Sequence, residues 1–243
     1  MQIQFLGTGD AFCSGGRYQT CFLVKIPEYQ FLIDCGATSM MALNALGIDS
    51  NLIEGIVISH FHGDHFGGLP FLLLDANFTK NRKQPLTISG PPGISGRVVE
   101  LMEMMYPKSM KKLSFTINFM EYSPSKTLNM GPVKIESFPV VHVPESLPHG
   151  LRVSADDRVF SFSGDTGWTD NLNKISDSAD LFICECNFFS TSSPSHLDYQ
   201  TIMNEKQNFN CKRIILNHLG GEMLENLSEV ELECSYDGLV VEV

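Results

Sequence analysis

The sequence predicts an α/β protein with four layers, in which two β-sheets pack face to face and helices cover both outer sides (an αββα sandwich). Two observations favour this architecture. Short apolar or alternating runs of strand type are spread along the whole chain, and segments with helical spacing lie between them. In addition, 43% of the 243 residues are hydrophobic, which is enough to bury a substantial core. Because no linker or low-complexity segment interrupts the pattern, residues 1–243 are expected to form a single domain.

Strands are expected where an apolar or alternating run is bounded by turn-forming or polar residues. They lie near residues 1–6, 20–25, 30–34, 55–59, 85–89, 113–120, 132–141, 149–154, 158–163, 180–186, 213–217 and 238–243. Helices are expected over residues 38–46, 67–79, 96–106 and 198–208. The first of these helices ends at Gly47, which suits a C-cap, and the third ends before Pro107.

The helix over 96–106 carries an apolar stripe at the i, i+3, i+4, i+7 spacing of a buried face. The members of the stripe are Val98, Leu101, Met102 and Met105. This spacing indicates packing against the core. The alternative is the surface of a homodimer, because methionine is common at adaptable contact surfaces.

Composition and pattern also bear on location. No stretch of about 18 uninterrupted apolar residues is present, so no membrane-spanning helix and no membrane partner are expected. Residues 1–6 alternate like a strand and lack the basic start and cleavage site of a signal peptide. The seven cysteines are odd in number and have no regular spacing, which indicates reduced thiols and a cytoplasmic location.

A dense cluster of metal-binding side chains follows the apolar run at 55–59. The sequence from residue 60 to residue 65 is His-Phe-His-Gly-Asp-His, so four of its six residues are His60, His62, Asp64 and His65. Imidazole and carboxylate are the ligands that zinc and similar divalent metals use. Since Asp64 and His65 cannot easily reach the same ion as His60 and His62, the cluster suggests two adjacent metals.

Three further candidate ligands stand at the ends of other expected strands. His142 ends one run, Asp165 follows the strand at 158–163, and His218 ends the strand at 213–217. Polar side chains at the ends of several buried strands meet at one edge of a sheet, where sites lie in α/β proteins. Taken alone, His142 or His218 would ordinarily be interpreted as a histidine whose ring nitrogens are hydrogen-bonded within the protein. The complete set of seven candidate ligands favours a metal site.

This ordered set resembles the dinuclear centre of metallo-β-lactamase-fold hydrolases. The resemblance extends over nearly the whole chain, with matching Phe-Leu-Gly-Thr-Gly at 5–9 and Phe-Leu-Ile-Asp-Cys-Gly at 31–36. It implies that one metal is held by His60, His62 and His142, and the second by Asp64, His65 and His218. Asp165 would bridge the two metals.

Details of the sequence resemble the ribonuclease Z branch of phosphodiesterases within that superfamily. Asp165 stands where the true β-lactamases carry a cysteine, and His62 stands where the flavin-linked diiron oxygen reductases place a glutamate. The Gly-Pro-Pro-Gly sequence at 90–93 and the segment from His142 to 152 also match the branch. The resemblance implies a proton-donor pair, for which Glu185 and His196 are the candidates. A plain loop histidine is the alternative for His196.

The chain departs from ribonuclease Z in one segment. That family carries a long arm, which grips the elbow of transfer RNA, between its third histidine and its bridging aspartate. Here only 23 positions separate His142 from Asp165, so the arm is absent. The formal net charge of -11 also opposes general nucleic-acid binding. The basic segment over 80–112 is interpreted as a solvated face of helix and loop, and the alternative is a groove for a phosphate backbone.

The expected function is a dinuclear metal-dependent phosphodiesterase that acts on RNA, a cyclic nucleotide or another small diester. Two divalent ions, expected as Zn²⁺ with Mn²⁺ or Fe²⁺ as alternatives, would share a bridging hydroxide near neutral pH. Asp64, Glu185 and His196 are the candidate catalytic residues, and Asp34 is a candidate to orient a ligand imidazole. A carboxyl-ester, thioester or lactone hydrolase and a metal-bound binding module are the alternative functions.

Overall fold

The computed structural model describes residues 1–123 and 126–243, and its strands form two seven-stranded sheets. The strands are Gln2–Gly7 (β1), Cys21–Ile26 (β2), Tyr29–Ile33 (β3), Gly55–Val57 (β4), Leu86–Gly90 (β5), Ile117–Glu121 (β6), Leu128–Met130 (β7), Val133–Pro139 (β8), His149–Ala155 (β9), Arg158–Phe162 (β10), Leu181–Glu185 (β11), Ile214–Asn217 (β12), Glu233–Cys234 (β13) and Val240–Glu242 (β14). The helices are Ser39–Ala45 (α1), Gly63–Phe66 (α2), Leu69–Leu74 (α3), Ile94–Met105 (α4), Asn171–Ser176 (α5), Tyr199–Glu205 (α6) and Gly221–Glu225 (α7).

Both sheets are mixed, and each has a parallel part. The first sheet has the order β14-β1-β2-β3-β4-β5-β6 and is parallel from β3 to β6. The second sheet has the order β13-β12-β11-β10-β9-β8-β7 and is parallel from β10 to β13. The carboxyl ends of parallel strands lie at the same edge of a sheet, so each sheet presents a row of loops there.

The inner core lies between the two sheets and is built from alternate residues of their strands. Phe5 and Phe22 of the first sheet meet edge to face with their ring centroids 5.0 Å apart, and Phe22 meets Phe162 of the second sheet at 5.1 Å. All three rings are fully buried. Edge-to-face contacts between large rings contribute beyond the area that they bury, so this row of phenylalanines fixes how the sheets sit on each other.

Two outer cores complete the four layers. The first contains α1, α3 and α4 packed on the outer face of the first sheet, and the second contains α5, α6 and α7 on the outer face of the second sheet. The outward side chains of inner strands are therefore also apolar, as in Leu23 and Leu32, which are fully buried. The predicted αββα sandwich is confirmed.

The apolar stripe of α4 packs mainly into the first outer core. Val98 and Met102 are fully buried and Leu101 is partly buried, which confirms the prediction of core packing for these three residues. Met105 is 37% exposed and lies at the margin of the core.

Each expected strand and helix has a counterpart, with differences at the boundaries. The expected strand over 113–120 begins only at Ile117, because Ser114 bonds to Asn77 and to the Arg82 carbonyl instead of to a neighbouring strand. The expected helix over 67–79 is α3 followed by a π-helical turn at Asp75–Thr79. Elements not expected are β7, β13, α2, α5 and α7.

Two further findings concern long apolar helices and cysteine pairing. No helix among the described residues is long and apolar enough to cross a membrane. The seven cysteines, all of which lie in the described part of the chain, are unpaired.

A close approach of two backbone segments positions the histidine cluster on the first sheet. The segment after β3 bonds to α2 and to the residues that follow it. Cys35 N–H donates to the His65 carbonyl (2.7 Å), and Gly68 N–H donates to the Cys35 carbonyl (2.8 Å). A Cβ atom on Gly68 would lie 2.2 Å from the carbonyl oxygen of Gly36 and 2.8 Å from that of Cys35. The φ of Gly68 is -81°, which any residue can adopt, so its backbone conformation does not require glycine. Glycine is needed at this position because a side chain would collide with the two carbonyl oxygens.

We expect Gly68→Ala to lower the free energy of unfolding by about 1–3 kcal/mol, the usual penalty of overpacking against atoms that cannot give way. The matched control is Gly96→Ala, at an exposed site inside α4 where an added Cβ meets nothing within 4 Å. That change should raise stability by about 0.5–1 kcal/mol, because alanine favours a helix. Urea unfolding in the presence of a chelator measures both, and an unchanged midpoint for Gly68→Ala would contradict the steric explanation.

Candidate metal centre

The candidate site lies where loops of both sheets meet at one edge. The first sheet supplies the loop after β4, and the second sheet supplies β11 and the loops after β8, β10, β11 and β12. The predicted site residues stand there in chain order: His60, His62, Asp64, His65, His142, Asp165, Glu185, His196 and His218. The carboxyl ends of β10, β11 and β12 lie at one edge of the second sheet because these strands are parallel, and the groups formed with His60, His62, Asp64 and His65 bring the loop after β4 to the same edge.

Two groups of predicted ligands, and a third group formed by Glu185, His196 and His218, each have potential ligand atoms that all lie within 4.8 Å of one another. The first group is His60, His62, His142 and Asp165, and the second is Asp64, His65, Asp165 and His218. These are the two sets that the resemblance implies, and Asp165 belongs to both. All seven predicted ligands are therefore brought together.

Three buried ligand atoms in these groups form no hydrogen bond with the described part of the chain, namely Nε2 of His60, Nε2 of His65 and Oδ1 of Asp165. Nε2 of His65 lies 3.2 Å from Oδ1 of Asp165, and Nε2 of His218 lies 3.2 Å from Oδ2. Buried polar atoms without partners are strongly unfavourable. Imidazole and carboxylate atoms that converge in this way fit the divalent metals that the resemblance implies.

The two ligand carboxylates, Asp64 and Asp165, are ionised despite their burial. Burial acts to raise the pKa of Asp165, but His218 and His65 outweigh it and hold the pKa well below its ordinary range. The same balance, with His65 and His218 outweighing burial, lowers the pKa of Asp64. Asp165 is only 2% exposed, so the site contains fixed negative charge in a region of low solvent access.

The histidines divide into two kinds. Burial lowers the pKa of His60 well below its ordinary value, so this ring is neutral and has a lone pair to offer. Burial acts in the same direction on His218, but Asp165 outweighs it and raises the pKa of His218 to about 9. Protons on such rings balance the carboxylates when no cation is bound, and a divalent cation would displace them.

Three of the histidines are held through the ring nitrogen that faces away from their group. Nδ1 of His142 donates to the carbonyl of Ser195 (2.7 Å), and Nδ1 of His218 lies 3.2 Å from the side-chain amide of Asn187. Nδ1 of His65 bonds to Asp34 (2.7 Å), as the sequence predicted for that aspartate. The acceptors at His65 and His142 hold the proton on Nδ1 and leave Nε2 of these two rings for a ligand.

Glu185 and His196, the predicted proton-donor pair, are also brought together. Nδ1 of His196 lies 3.1 Å and 3.3 Å from the two carboxylate oxygens of Glu185, which is fully buried. The ring of His196 stacks on that of His218, with centroids 5.6 Å apart. Burial acts to lower the pKa of His196, but the bond to Glu185 outweighs it and raises the pKa. The pair is therefore arranged to hold a proton beside the ligand groups.

A cavity of about 310 Å³ opens above the ligand groups. Five of the predicted ligands and His196 line it, and no lysine or arginine does. This volume is at the lower end of the range of small-molecule sites.

The basic segment over 80–112 lies outside the lining of this cavity. Arg82 is 1% exposed, and its guanidinium donates to the carbonyls of Asn51, Gln84 and Pro85. Arg97 lies over the ring of Phe61, 5.6 Å from its centroid. Arg82 thus stabilises a loop and is not available to a phosphate backbone.

Comparison with protein families gives one match that covers nearly the whole chain. Residues 1–233 match the model of the family described as Anti-Pycsar protein Apyc1. The chain belongs to the Apyc1 family.

The predicted resemblance to ribonuclease Z is confirmed by curated relatives. The ribonuclease Z of Lachnoclostridium phytofermentans is 34% identical over 143 residues, which cover 58% of this chain and 45% of that protein. The chain thus matches less than half the length of that relative.

A second relative extends further. The ribonuclease Z of Methanothermobacter thermautotrophicus is 26% identical over 270 residues, covering 90% of this chain and 86% of that protein. Since 270 positions exceed the length of this chain, the relative contains segments that this Apyc1-family member lacks.

A solved structure supports the fold. The metallo-β-lactamase-fold protein YhfI of Bacillus subtilis superposes with a TM-score of 0.80 at 18% identity, covering 100% of this chain and 98% of YhfI. The predicted metallo-β-lactamase fold is confirmed.

One residue of the Apyc1-family site that the sequence analysis missed is Ser59. Its hydroxyl donates to Oδ2 of Asp34 (2.8 Å) and lies 3.0 Å from Nδ1 of His60. Oδ2 of Asp34 also accepts from His65. Ser59 and Asp34 therefore join one histidine of each ligand group through a continuous set of hydrogen bonds. In the sequence, the position of Ser59 directly before His60 is the one indication of this role. Its partner Asp34 is 25 positions away, so the hydrogen bond is visible only in the structure.

We expect Ser59→Ala to weaken metal binding by about 10- to 100-fold, because the Nδ1 proton of His60 loses its acceptor and Asp34 loses a donor. Ser59→Thr should retain most of the affinity, since it keeps the hydroxyl. The matched control is Ser89→Ala, which removes another fully buried hydroxyl, on β5, whose acceptor is the Ile56 carbonyl. Competition with a chromogenic chelator for Zn²⁺ measures the affinity, and equal values for Ser59→Ala and the wild type would exclude this role.

Proposed function

We propose that this Apyc1-family protein is a dinuclear metal-dependent phosphodiesterase that hydrolyses small phosphodiesters. The observation that carries the proposal is the pair of ligand groups that share the buried carboxylate of Asp165. The position of the Glu185–His196 pair beside both groups supports hydrolysis rather than simple metal storage. The names of the curated relatives, ribonuclease Z, support a phosphodiester as the bond that is cleaved.

His60, His62 and His142 would hold one ion, and Asp64, His65 and His218 the other, with Asp165 shared. Two divalent ions in such a site supply a nucleophile at neutral pH and stabilise the charge that develops on phosphorus-bound oxygens. We propose Zn²⁺ as the metal, because imidazole dominates the donor set, with Mn²⁺ or Fe²⁺ as the alternatives. Asp34 and Ser59 would fix the orientation of the rings that face the ions.

His196 would give its proton to the alkoxide that leaves. Its Nδ1 is engaged by Glu185, so the other ring nitrogen is the one available to the cavity, which His196 lines. The carboxylate of Glu185 favours the protonated ring and keeps it in one orientation. The same carboxylate accepts the backbone N–H of Thr166, next to Asp165, and so links the proton donor to the shared ligand.

The substrate is proposed to be small because a short hairpin stands where ribonuclease Z carries its arm. Between His142 and Asp165 the chain forms β9 and β10, an antiparallel hairpin that turns at residues 156–157 within the second sheet. The cavity of about 310 Å³ fits a compact diester, and among the described residues no lysine or arginine lines it to follow an RNA backbone.

Three further expectations belong with this proposal. We propose that residues 1–243 act as one domain, which the core shared by both sheets supports. Seven unpaired thiols support a cytoplasmic location. A homodimer is also proposed. Since Val98 and Met102 of the predicted stripe are buried in the core, its surface on α4 would be that of Val99 and Met104, which are 42% and 81% exposed.

The proposed function is tested by metal content and turnover together. We expect close to two divalent ions per chain by elemental analysis, because seven ligands are too many for one tetrahedral site. The metal-loaded protein should hydrolyse bis(p-nitrophenyl) phosphate, and Asp64→Ala should lower both the metal content and the rate.

Thioester, lactone and precursor-tRNA substrates in the same assay separate the other functions. Faster turnover of a thioester or lactone than of the phosphodiester would indicate a carbonyl hydrolase instead. If no substrate is turned over, the metal-bound binding module is the function that agrees with the data. Efficient site-specific trimming of precursor tRNA at physiological salt would contradict the small substrate.

For the proton donor we expect His196→Ala to lower kcat by about 10²–10⁴ for a diester with a poor leaving group. The loss should be much smaller for a nitrophenyl ester, since nitrophenolate leaves without a proton. Glu185→Gln should show the same dependence on leaving group, more weakly, and metal content serves as the control for both variants. Equal losses with both kinds of ester would indicate that His196 is structural or binds substrate.

A further inference from the structure

We propose that Ser235 and Asp237 are positioning residues that hold His218 in the conformation in which it binds the second ion. The inference rests on the proposed function, since it concerns the second ligand group, and it adds the segment that sets the affinity of that group. Both residues lie after β13 and outside the ligand groups. The family match covers residues 1–233, so neither residue belongs to the matched part of the chain.

The backbone of His218 needs support because its φ is 58°, in the left-handed region. A residue with a Cβ atom seldom adopts this conformation, which persists only where the surrounding structure holds it. From this conformation Nε2 of His218 lies 3.2 Å from Oδ2 of Asp165, so the conformation is the one that completes the second group. The residues on both sides of His218 must therefore be held in place.

Ser235 holds the residue that precedes His218. Its hydroxyl donates to Oδ1 of Asn217 (2.8 Å), and its N–H donates to the carbonyl of Leu216 (2.8 Å). Ser235 is 1% exposed and Asn217 is fully buried. Without the hydroxyl, the amide oxygen of Asn217 would lose its donor in a buried place, which is unfavourable. Ser235 thus fixes the end of β12 at the point where the chain turns into His218.

Asp237 holds the residue that follows His218, and it does so through Thr8. The carboxylate of Asp237 accepts the N–H and the hydroxyl of Thr8 (3.0 and 2.7 Å) and the N–H of Tyr18 (2.8 Å). The carbonyl of Thr8 in turn accepts the N–H of Leu219 (3.3 Å). The fully buried Thr8 is therefore fixed from one side by Asp237 and fixes the backbone after His218 on the other.

These contacts serve one ligand group and not the other. Among the described residues, Ser235 and Asp237 form no hydrogen bond with the loops that carry His60, His62 and His142. A general loss of packing would weaken both groups together. Loss of the positioning contacts should weaken only the group that contains His218.

The experiment measures the zinc affinity of each group separately, by competition with a chromogenic chelator. His142→Ala removes a ligand of the first group, so the ion that remains reports on the second group, and His65→Ala does the reverse. In the His142→Ala protein, we expect Ser235→Ala or Asp237→Ala to weaken zinc binding by about 10- to 100-fold, the usual effect of removing a residue that orients a ligand. In the His65→Ala protein, the same two changes should leave the affinity unchanged.

The matched controls are Ser161→Ala and Asp180→Ala. Ser161 is a fully buried serine of β10 whose hydroxyl donates to the Ile175 carbonyl, and the carboxylate of Asp180 accepts the N–H of Val159. Neither change should alter the affinity of either group. Ser235→Thr, which keeps the hydroxyl, should retain the affinity that Ser235→Ala loses. Urea unfolding with a chelator present separates a loss of stability from a loss of affinity in every variant.

Equal weakening in both backgrounds, or no weakening in the His142→Ala protein, would overturn the inference. A wild-type protein that binds a single ion would contradict the proposed dinuclear site together with this inference. A wild-type protein that binds two ions, with affinities that do not depend on Ser235 or Asp237, would contradict the inference alone.

Discussion

The charge of one buried carboxylate organises the whole site. Asp165 follows a central strand of the second sheet, is almost fully buried, and stays ionised only because histidines from several loops surround it. Those histidines come from the loop after β4 of the first sheet as well as from the second sheet. A buried anion of this kind requires compensation from every side, so the packing of the two sheets and the geometry of the ligand groups depend on each other.

The fold could be predicted because its signals are local. The apolar runs at 55–59 and 213–217 predict inner strands from their own residues, whatever strands lie beside them. The spacing of the histidine cluster likewise predicts the metal site from one short segment. The strands β7 and β13, with three and two residues, have no such run and form only because a longer strand lies next to them. The helices α2, α5 and α7 have four to six residues and are too short to show a period.

The site divides in the same way. Its ligands were predicted, since the resemblance covers them residue by residue, and the structure brings them together in two groups. The contact of Ser59 with Asp34 and the anchoring of His142 on the Ser195 carbonyl join residues that are 25 and 53 positions apart. The identity of the ligands is therefore local information, while their orientation and the shape of the cavity are tertiary.

The origin of the ligands in both sheets has a consequence for the lifetime of the protein. Opening the interface at Phe22 and Phe162 would pull apart the loop after β4 and the loops of the second sheet, so neither ligand group survives in the unfolded chain. Any ion that binds only the folded state adds to stability in proportion to the logarithm of its concentration over its dissociation constant. Metal supply would then govern resistance to proteases as well as catalysis, and a cell that runs short of the metal would lose the protein itself.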